Sequence, residues 1–283
     1  MNLNIPSPLD KVFIPQLSRD IYIKRDDLIH AIISGNKWRK LKYFLAAFDS
    51  SKYIRIVSIG GAYSNHLHAL SYTCYLLNIP CKLYIYGSQI SNDNKMIQDV
   101  MTWNSEIQLI TRSQKTELIF QLQQLNDIYF IPEGGEGELA EKGVAELLNE
   151  MEPFVDSAES LIILPYGTGT SCKALLKNTI NAHILTLSPV LNNQILLHKR
   201  LIQLLSKYNL SFAGYCTEYY NEIALFKAQT NILLDPIYSA KLMLSFIYNF
   251  EKYKIYKDIY FIHTGGLQSW RNYNLRYKLE PIS

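Results

Sequence analysis

Five clusters along the 283 residues hold side chains whose types and spacing could do chemistry. In Ser34-Gly35-Asn36-Lys37-Trp38-Arg39-Lys40, Gly35 and Asn36 form a helix entry and Lys37 falls in the first turn. A cation there opposes the helix dipole. Its amine is either an ordinary basic group packed under the loop or one that is consumed as an imine. In Ser58-Ile59-Gly60-Gly61-Ala62-Tyr63-Ser64-Asn65-His66, a strand ends, two glycines permit a sharp turn and Ser64 can cap the next helix. Asn65 then sits at the helix mouth with its amide available to a ligand. A metal pair from His66 and His68 is disfavoured, because i,i+2 residues of a helix do not face one way.

Leu161 to Ser171 runs from an apolar strand into Pro165-Tyr166-Gly167-Thr168-Gly169-Thr170-Ser171. Backbone N–H groups of such a loop converge and its hydroxyls add donors, which suits a phosphate. The spacing matches neither a P-loop nor a dinucleotide fingerprint; an ordinary strand–helix turn is the alternative. Asp235-Pro236 signals a turn or helix start and places Tyr238 in the first helical turn. With 21 tyrosines in the chain, packing competes with catalysis for that residue. His263-Thr264-Gly265-Gly266 closes the last strand, where Thr264 could hydrogen-bond a ligand ring or cap a turn.

The elements that must position these clusters alternate. Strands are expected at Tyr53–Ile59, Lys82–Tyr86, Ile107–Ile110, Ile128–Ile131, Leu161–Leu164, His183–Leu187 and Asp258–Ile262. Helices are expected at Ser64–Leu77, Asn92–Trp103, Thr116–Leu125, from Ser171 to Lys177, and at Glu222–Thr230. Such alternation predicts an α/β fold of mainly parallel sheets flanked by helices, with ligands at the carboxyl ends of the strands. Two lobes are expected, with residues 1–45 and 136–283 in the larger and 46–135 in the smaller, and a cleft between them.

Hydrophobic residues make up 48% and charged residues 19%, enough for a packed core. No apolar run reaches the roughly 20 residues of a membrane span, and no secretory leader pattern opens the chain, so a cytoplasmic location without membrane attachment is expected. Cys74, Cys81, Cys172 and Cys216 form no CxxC pair and read as reduced thiols. The net charge of +3 is too small to suggest nucleic acid. Tyr248 to Tyr260, rich in Lys and Tyr, reads as a solvated helix face.

Taken in order, these clusters resemble the 1-aminocyclopropane-1-carboxylate deaminase/D-cysteine desulfhydrase family, one of the tryptophan-synthase-β-like, fold type II pyridoxal 5′-phosphate enzymes. The resemblance is carried by Lys24-Arg25-Asp26-Asp27-Leu28, Gly35 to Leu41, Gly60 to His66, Ile131-Pro132-Glu133-Gly134-Gly135, Gly167 to Ser171, Leu234 to Lys241 and His263 to Gly266. It implies that Lys37 holds the cofactor as a Schiff base and shuttles the α-proton. It implies that Asn65 hydrogen-bonds the ring hydroxyl oxygen, and that Ser64 meets the substrate carboxylate or assists proton transfer. Gly167, Thr168, Gly169, Thr170 and Ser171 would hold the phosphate, Tyr238 would face the substrate, and Thr264 would partner the pyridine nitrogen.

The implied reaction is α,β-elimination from D-cysteine or another β-substituted alanine, giving a 2-oxo acid and ammonia. Ring-opening deamination of 1-aminocyclopropane-1-carboxylate, β-replacement, or cofactor binding without catalysis are the alternatives, and a homodimer is implied. Three positions depart from the pattern. His66 and Ser239 stand where the deaminases proper carry Gln and Glu, as in the desulfhydrase-like branch. Tyr63 stands where both branches usually have Gln. A second active-site tyrosine is expected upstream of Tyr238, with Tyr215 and Tyr219 competing for the role.

Overall fold

The computed structural model describes every residue except Ser34, 88–90, Asn92, 152–154, 190–194 and Ser283. The chain divides into two compact units. One comprises Met1–Asn2 and Lys37–Gly143; the other comprises Leu3–Asn36 and Val144–Ser283.

The first unit opens with α1 (Asn36–Ala46), which begins one residue before the division, and then alternates. It runs through β3 (Arg55–Gly61), α2 (Asn65–Leu76), β4 (Cys81–Tyr86), α3 (Lys95–Thr102), β5 (Glu106–Ile110), α4 (Lys115–Gln124) and β6 (Ile128–Ile131) into α5 (Glu138–Asn149). The four strands form a wholly parallel sheet in the order β5-β4-β3-β6. One face packs Val57, Ile59, Tyr84, Ile110, Leu122 and Ile128 together. The expected start of α3 at Asn92 lies outside the described residues. The described helix is capped instead by Asn94, whose side-chain oxygen accepts from the N–H groups of Met96 and Ile97.

The second unit begins with a hairpin of β1 (Leu9–Ile14) and β2 (Arg19–Lys24), paired antiparallel. It continues with β7 (Ser160–Ile163), α6 (Thr170–Asn178), β8 (His183–Thr186), β9 (Leu201–Gln203), α7 (Thr217–Thr230), α8 (Ser239–Tyr248), β10 (Asp258–Ile262) and α9 (Ser269–Tyr277). Its sheet has the order β1-β2-β10-β7-β8-β9, with every pairing after the hairpin parallel. Alternation along the strands explains why both faces are covered. Leu161, Ile163, Ile259 and Phe261 enter one apolar cluster with Leu242, Phe246 and Phe226. Ile162, Tyr260 and Ile262 enter the other with Leu175 and Ile184.

The division falls at 36/37 and 143/144, whereas the sequence reading put it near 45 and 135. Packing accounts for the position: α1 and the first turns of α5 touch closely. A β-carbon on Gly143 would stand 1.9 Å from the Arg39 carbonyl oxygen, and Lys142 lies over the Tyr43 ring at 4.2 Å. The stretch Tyr248 to Tyr260 is a correction. It is the end of α8, a short 3-10 turn and most of β10 rather than a helix face, and Tyr253, Tyr256 and Tyr260 are buried in it. Among the described residues no helix is long and apolar enough to cross a membrane.

Candidate functional site

The residues singled out by their chemistry fall into two sets, one in each unit. In the first unit Lys37 is the second residue of α1 and half-buried. Ser64 caps α2, its Oγ accepting from the Leu67 N–H at 3.3 Å, so the hydroxyl keeps its proton for another acceptor. Gly60 makes this possible, because a β-carbon there would sit 3.1 Å from both the Ser64 Oγ and the Leu67 side chain. Asn65 opens α2 directly after that cap. The turn before it is fixed by Asn94, whose amide donates to the Ala62 carbonyl at 2.9 Å.

His66 is the most informative residue of this set. It is 2% exposed. Ser58 Oγ donates to the Ile131 carbonyl at 2.8 Å and lies 3.1 Å from His66 Nε2. Since the serine proton is used on Ile131, Nε2 must be the donor and Nδ1 carries the lone pair. That Nδ1 is buried with no hydrogen-bond partner among the described residues, close against Gly135. Desolvation, with the charges of Lys37 and Lys40, presses the imidazole down to about 3, so His66 is neutral at physiological pH. His68 takes a different partner, Asp99 at 2.9 Å; the two histidines do not converge. The Glu133-Gly134-Gly135 turn is gripped from several sides. Tyr86 and Lys115 both bind the Glu133 carboxylate, and Lys40 Nζ donates to the Gly134 carbonyl at 3.3 Å.

In the second unit the loop after β7 leads into α6 through Gly169, which holds φ +85°. A β-carbon there would lie 2.5 Å from the Tyr166 hydroxyl, which is itself fixed by the Leu196 N–H at 3.1 Å. Thr168 and Thr170 bring their hydroxyls within 2.9 Å of each other. Ser171 Oγ receives the Asn36 amide at 3.4 Å. The loop thus gathers hydroxyls at the positive end of a helix, an arrangement suited to an anion.

Thr264 lies against the same Gly35-Asn36 turn. Its carbonyl accepts from the Asn36 N–H at 3.3 Å, while among the described residues no hydrogen bond engages its hydroxyl. The acids of Lys24-Arg25-Asp26-Asp27 hold this arrangement. The Asp26 carbonyl accepts from Gly35 N–H at 2.8 Å, and Asp27 N–H donates to the His263 carbonyl at 3.1 Å. The Asp26 carboxylate accepts from Ser7 Oγ at 2.7 Å, and Lys24 Nζ pairs with Glu150 at 2.7 Å. His263 is also fixed: Nδ1 accepts from Gly265 N–H at 3.2 Å, so Nε2 is the donor to the Leu233 carbonyl at 2.8 Å.

Tyr238 stands at the start of α8. The Asp235 carboxylate takes the N–H groups of Ile237, Tyr238 and Ser239, and also the Ser239 hydroxyl. Ser239 is therefore buried in the cap of α8 rather than presented to a ligand. The two candidates for a companion tyrosine have different surroundings. Tyr219 is buried with its hydroxyl on the Pro236 carbonyl at 2.8 Å, and Tyr215 stacks on Tyr277 with centroids 5.0 Å apart. The Phe212 ring lies against that of Tyr238, at 6.1 Å and 77°. Motif reading missed Phe212, Asn94 and the bridging role of Asn36. Asn36 had a sequence signal, a side-chain amide in the Gly-Asn-Lys turn; Phe212 had none.

No protein-family model matches the chain. Two curated proteins named "Putative 1-aminocyclopropane-1-carboxylate deaminase" are similar along nearly its whole length. That of Thermotoga maritima is 25% identical over 302 residues, covering 93% of this chain and 94% of its own. That of Pyrococcus horikoshii is 25% identical over 300 residues, covering 92% and 90%. A solved structure described as an ACC deaminase homologue superposes with a TM-score of 0.76 at 20% identity, covering 98% of this chain and 94% of its own. Serine racemase from Dictyostelium discoideum follows at 0.68 and 14%, with 92% of each chain covered. A pyridoxal 5′-phosphate-dependent aspartate racemase gives 0.66 at 13% identity, with 92% and 90% covered. The resemblance to the 1-aminocyclopropane-1-carboxylate deaminase family carried by the seven motif segments is thus matched by similarity in sequence along nearly the whole chain and by a shared fold.

Proposed function

We propose that this chain is a pyridoxal 5′-phosphate-dependent lyase or deaminase of small amino acids, acting by α,β-elimination on D-cysteine or another β-substituted alanine. The residues present fit the cofactor. The Gly167–Ser171 loop offers a phosphate ester the α6 N-terminus and the paired hydroxyls of Thr168 and Thr170, in a loop that only glycine at 169 allows. The buried Thr264 offers a ring nitrogen a neutral hydroxyl that no other group engages among the described residues. In this proposal Lys37 carries the cofactor, Asn65 serves its ring hydroxyl and Gly167, Thr168, Gly169, Thr170 and Ser171 hold its phosphate.

When bound, the cofactor supplies the sink for the electron pair left at the substrate Cα. The Lys37 amine would take the α-proton as general base. Ser64 presents its hydroxyl proton to the substrate carboxylate, since its cap bond uses only a lone pair. Tyr238 faces the substrate side chain. The Cβ–S bond breaks and the sulfur leaves with a proton. The released enamine takes up water, so that D-cysteine and water become pyruvate, ammonia and hydrogen sulfide.

The observation that favours elimination over ring opening is Ser239. The position where deaminases proper carry Glu holds a hydroxyl that is enclosed in the Asp235 cap. Opening of 1-aminocyclopropane-1-carboxylate is the second reading, favoured by the names of the curated relatives. Release of pyruvate from D-cysteine, against release of 2-oxobutyrate from 1-aminocyclopropane-1-carboxylate, tests the two directly. A homodimer in the cytoplasm belongs to the same proposal, and sedimentation of the purified chain tests the dimer.

A further inference from the structure

The segment between β9 and α7 is irregular, yet it is tied down on both sides of one aromatic residue. Lys241 Nζ donates to the Leu210 carbonyl at 2.8 Å. Tyr277 and Tyr273 donate their hydroxyls to the carbonyls of Ala213 and Gly214, each at 2.8 Å. Lys207 N–H donates to Ser245 Oγ at 3.0 Å. The chain turns tightly here, with Gly214 N–H on the Ser211 carbonyl at 3.0 Å and Ala213 held at φ +53°. Burial lowers the pKa of the Lys241 amine, a penalty accepted to hold one carbonyl of this loop.

Phe212 sits between these anchors, 42% exposed. Its ring meets that of Tyr238 edge to face, the geometry aromatic pairs prefer. The Tyr238 ring in turn lies 3.9 Å from where a β-carbon on Gly167 would be. The loop at Gly167, Tyr238 and Phe212 therefore stand side by side in that order. A loop fixed this firmly around one exposed apolar ring holds that ring still beside the tyrosine.

We infer that Phe212 is a specificity-determining residue: with Tyr238 it walls the side-chain subsite of the amino-acid substrate and selects small Cβ substituents over long or anionic ones. The inference rests on the proposed function, in which Tyr238 faces the substrate. A phenyl ring offers a carboxylate no hydrogen-bond donor and turns a negative face toward it, so an anionic side chain loses water there without gaining a partner. A thiol or a chloride tolerates that wall, and its fixed position sets the length that fits.

The test compares the wild-type enzyme, loaded with cofactor, with Phe212→Ala and Phe212→Tyr. Steady-state kcat and KM are measured for cysteine, β-chloroalanine, serine and aspartate as separate enantiomers. Equilibrium binding of the unreactive alanine, 2-aminobutyrate and norvaline is read from the change in visible absorption. Phe212→Ala is expected to shift the alanine-to-norvaline binding ratio about tenfold toward norvaline, within the range of pocket discrimination between homologues, and to raise KM for cysteine more than it lowers kcat. Phe212→Tyr is expected to keep the size ranking and improve serine relative to cysteine. Cofactor affinity is expected to stay within about twofold of wild type in both.

Unchanged ratios in both variants overturn the inference, as does loss of cofactor affinity in both, which would make Phe212 a structural support of the loop. A wild-type chain that takes up no cofactor overturns the parent reading and this inference with it. Unchanged ratios in a competent enzyme overturn the inference alone.

Discussion

Gly35 approaches the Thr264 carbonyl so closely that a β-carbon on it would stand 1.7 Å from the oxygen, and it does so at φ +66°. The contact sets Asn36 N–H on that same carbonyl and so ties the turn before Lys37 to the strand end that carries Thr264. Gly35→Ala must therefore move backbone, not just a side chain. A left-handed alanine costs roughly 1–2 kcal/mol, and overpacking adds roughly 1–3 kcal/mol. A loss of about 3 kcal/mol in urea unfolding is expected. Gly87→Ala, whose nearest neighbour would be 4.0 Å away, is the control and should be near neutral.

His66 makes acid stability a readout of the first unit. Its imidazole is held down to about 3 by burial and by Lys37 and Lys40, against an unfolded value of about 6.5. Between those values the unfolded chain binds the proton and the native one does not. The stabilisation is fully present above about pH 6.5 and declines as pH falls toward 3. His66→Gln should flatten the fall in stability between pH 6.5 and 4 while leaving the slope above pH 7 unchanged. Identical slopes in the two proteins would contradict a His66 that is neutral in the native state.

The pair Lys24–Glu150 is anchored where the second unit begins, with Lys24 fully buried. Removing one partner leaves an uncompensated charge, which costs about 3–5 kcal/mol in comparable buried pairs. Lys24→Met and Glu150→Leu should each destabilise by that order, and the double variant should recover most of it. A double-mutant cycle in chemical denaturation measures the coupling; additive losses would show that the two groups do not act as a pair.

Thr168 and Thr170 share one hydroxyl contact in the loop proposed to hold phosphate. Thr170→Val replaces a buried hydroxyl by a methyl of similar size. The affinity for pyridoxal 5′-phosphate should fall about tenfold, the equivalent of one hydrogen bond of about 1.4 kcal/mol, with little change in the melting temperature of the cofactor-free protein. Fluorescence titration with the cofactor measures it.

Much of this architecture was legible because parallel strands buried on both faces leave continuous apolar runs. Ile128–Ile131 and Asp258–Ile262 have the predicted bounds, and Ser64 is the predicted cap. The hairpin of β1 and β2 was not read, because Lys11, Arg19, Asp20 and Lys24 break its apolar pattern. Only the fold shows that Lys24 is buried against Glu150. The helix α8 was entered at Tyr238 but not followed, since a helix buried along nearly its whole length has no solvent-facing polar stripe to detect. The Lys24-Arg25-Asp26-Asp27 motif was visible as a match and silent as to role; its acids prove to be hydrogen-bonding supports of two turns. Phe212 could not be found in advance, because an exposed aromatic in an irregular loop acquires meaning only from the ring it touches.

The most direct test of the central claim is the visible absorption spectrum of the protein after incubation with pyridoxal 5′-phosphate, followed by borohydride reduction and peptide mapping. The account predicts a visible absorption band from an imine between the cofactor and a lysine, and a reduced pyridoxyl group on Lys37. A protein that stays colourless, or a label found on Lys40 or any other lysine, would contradict it.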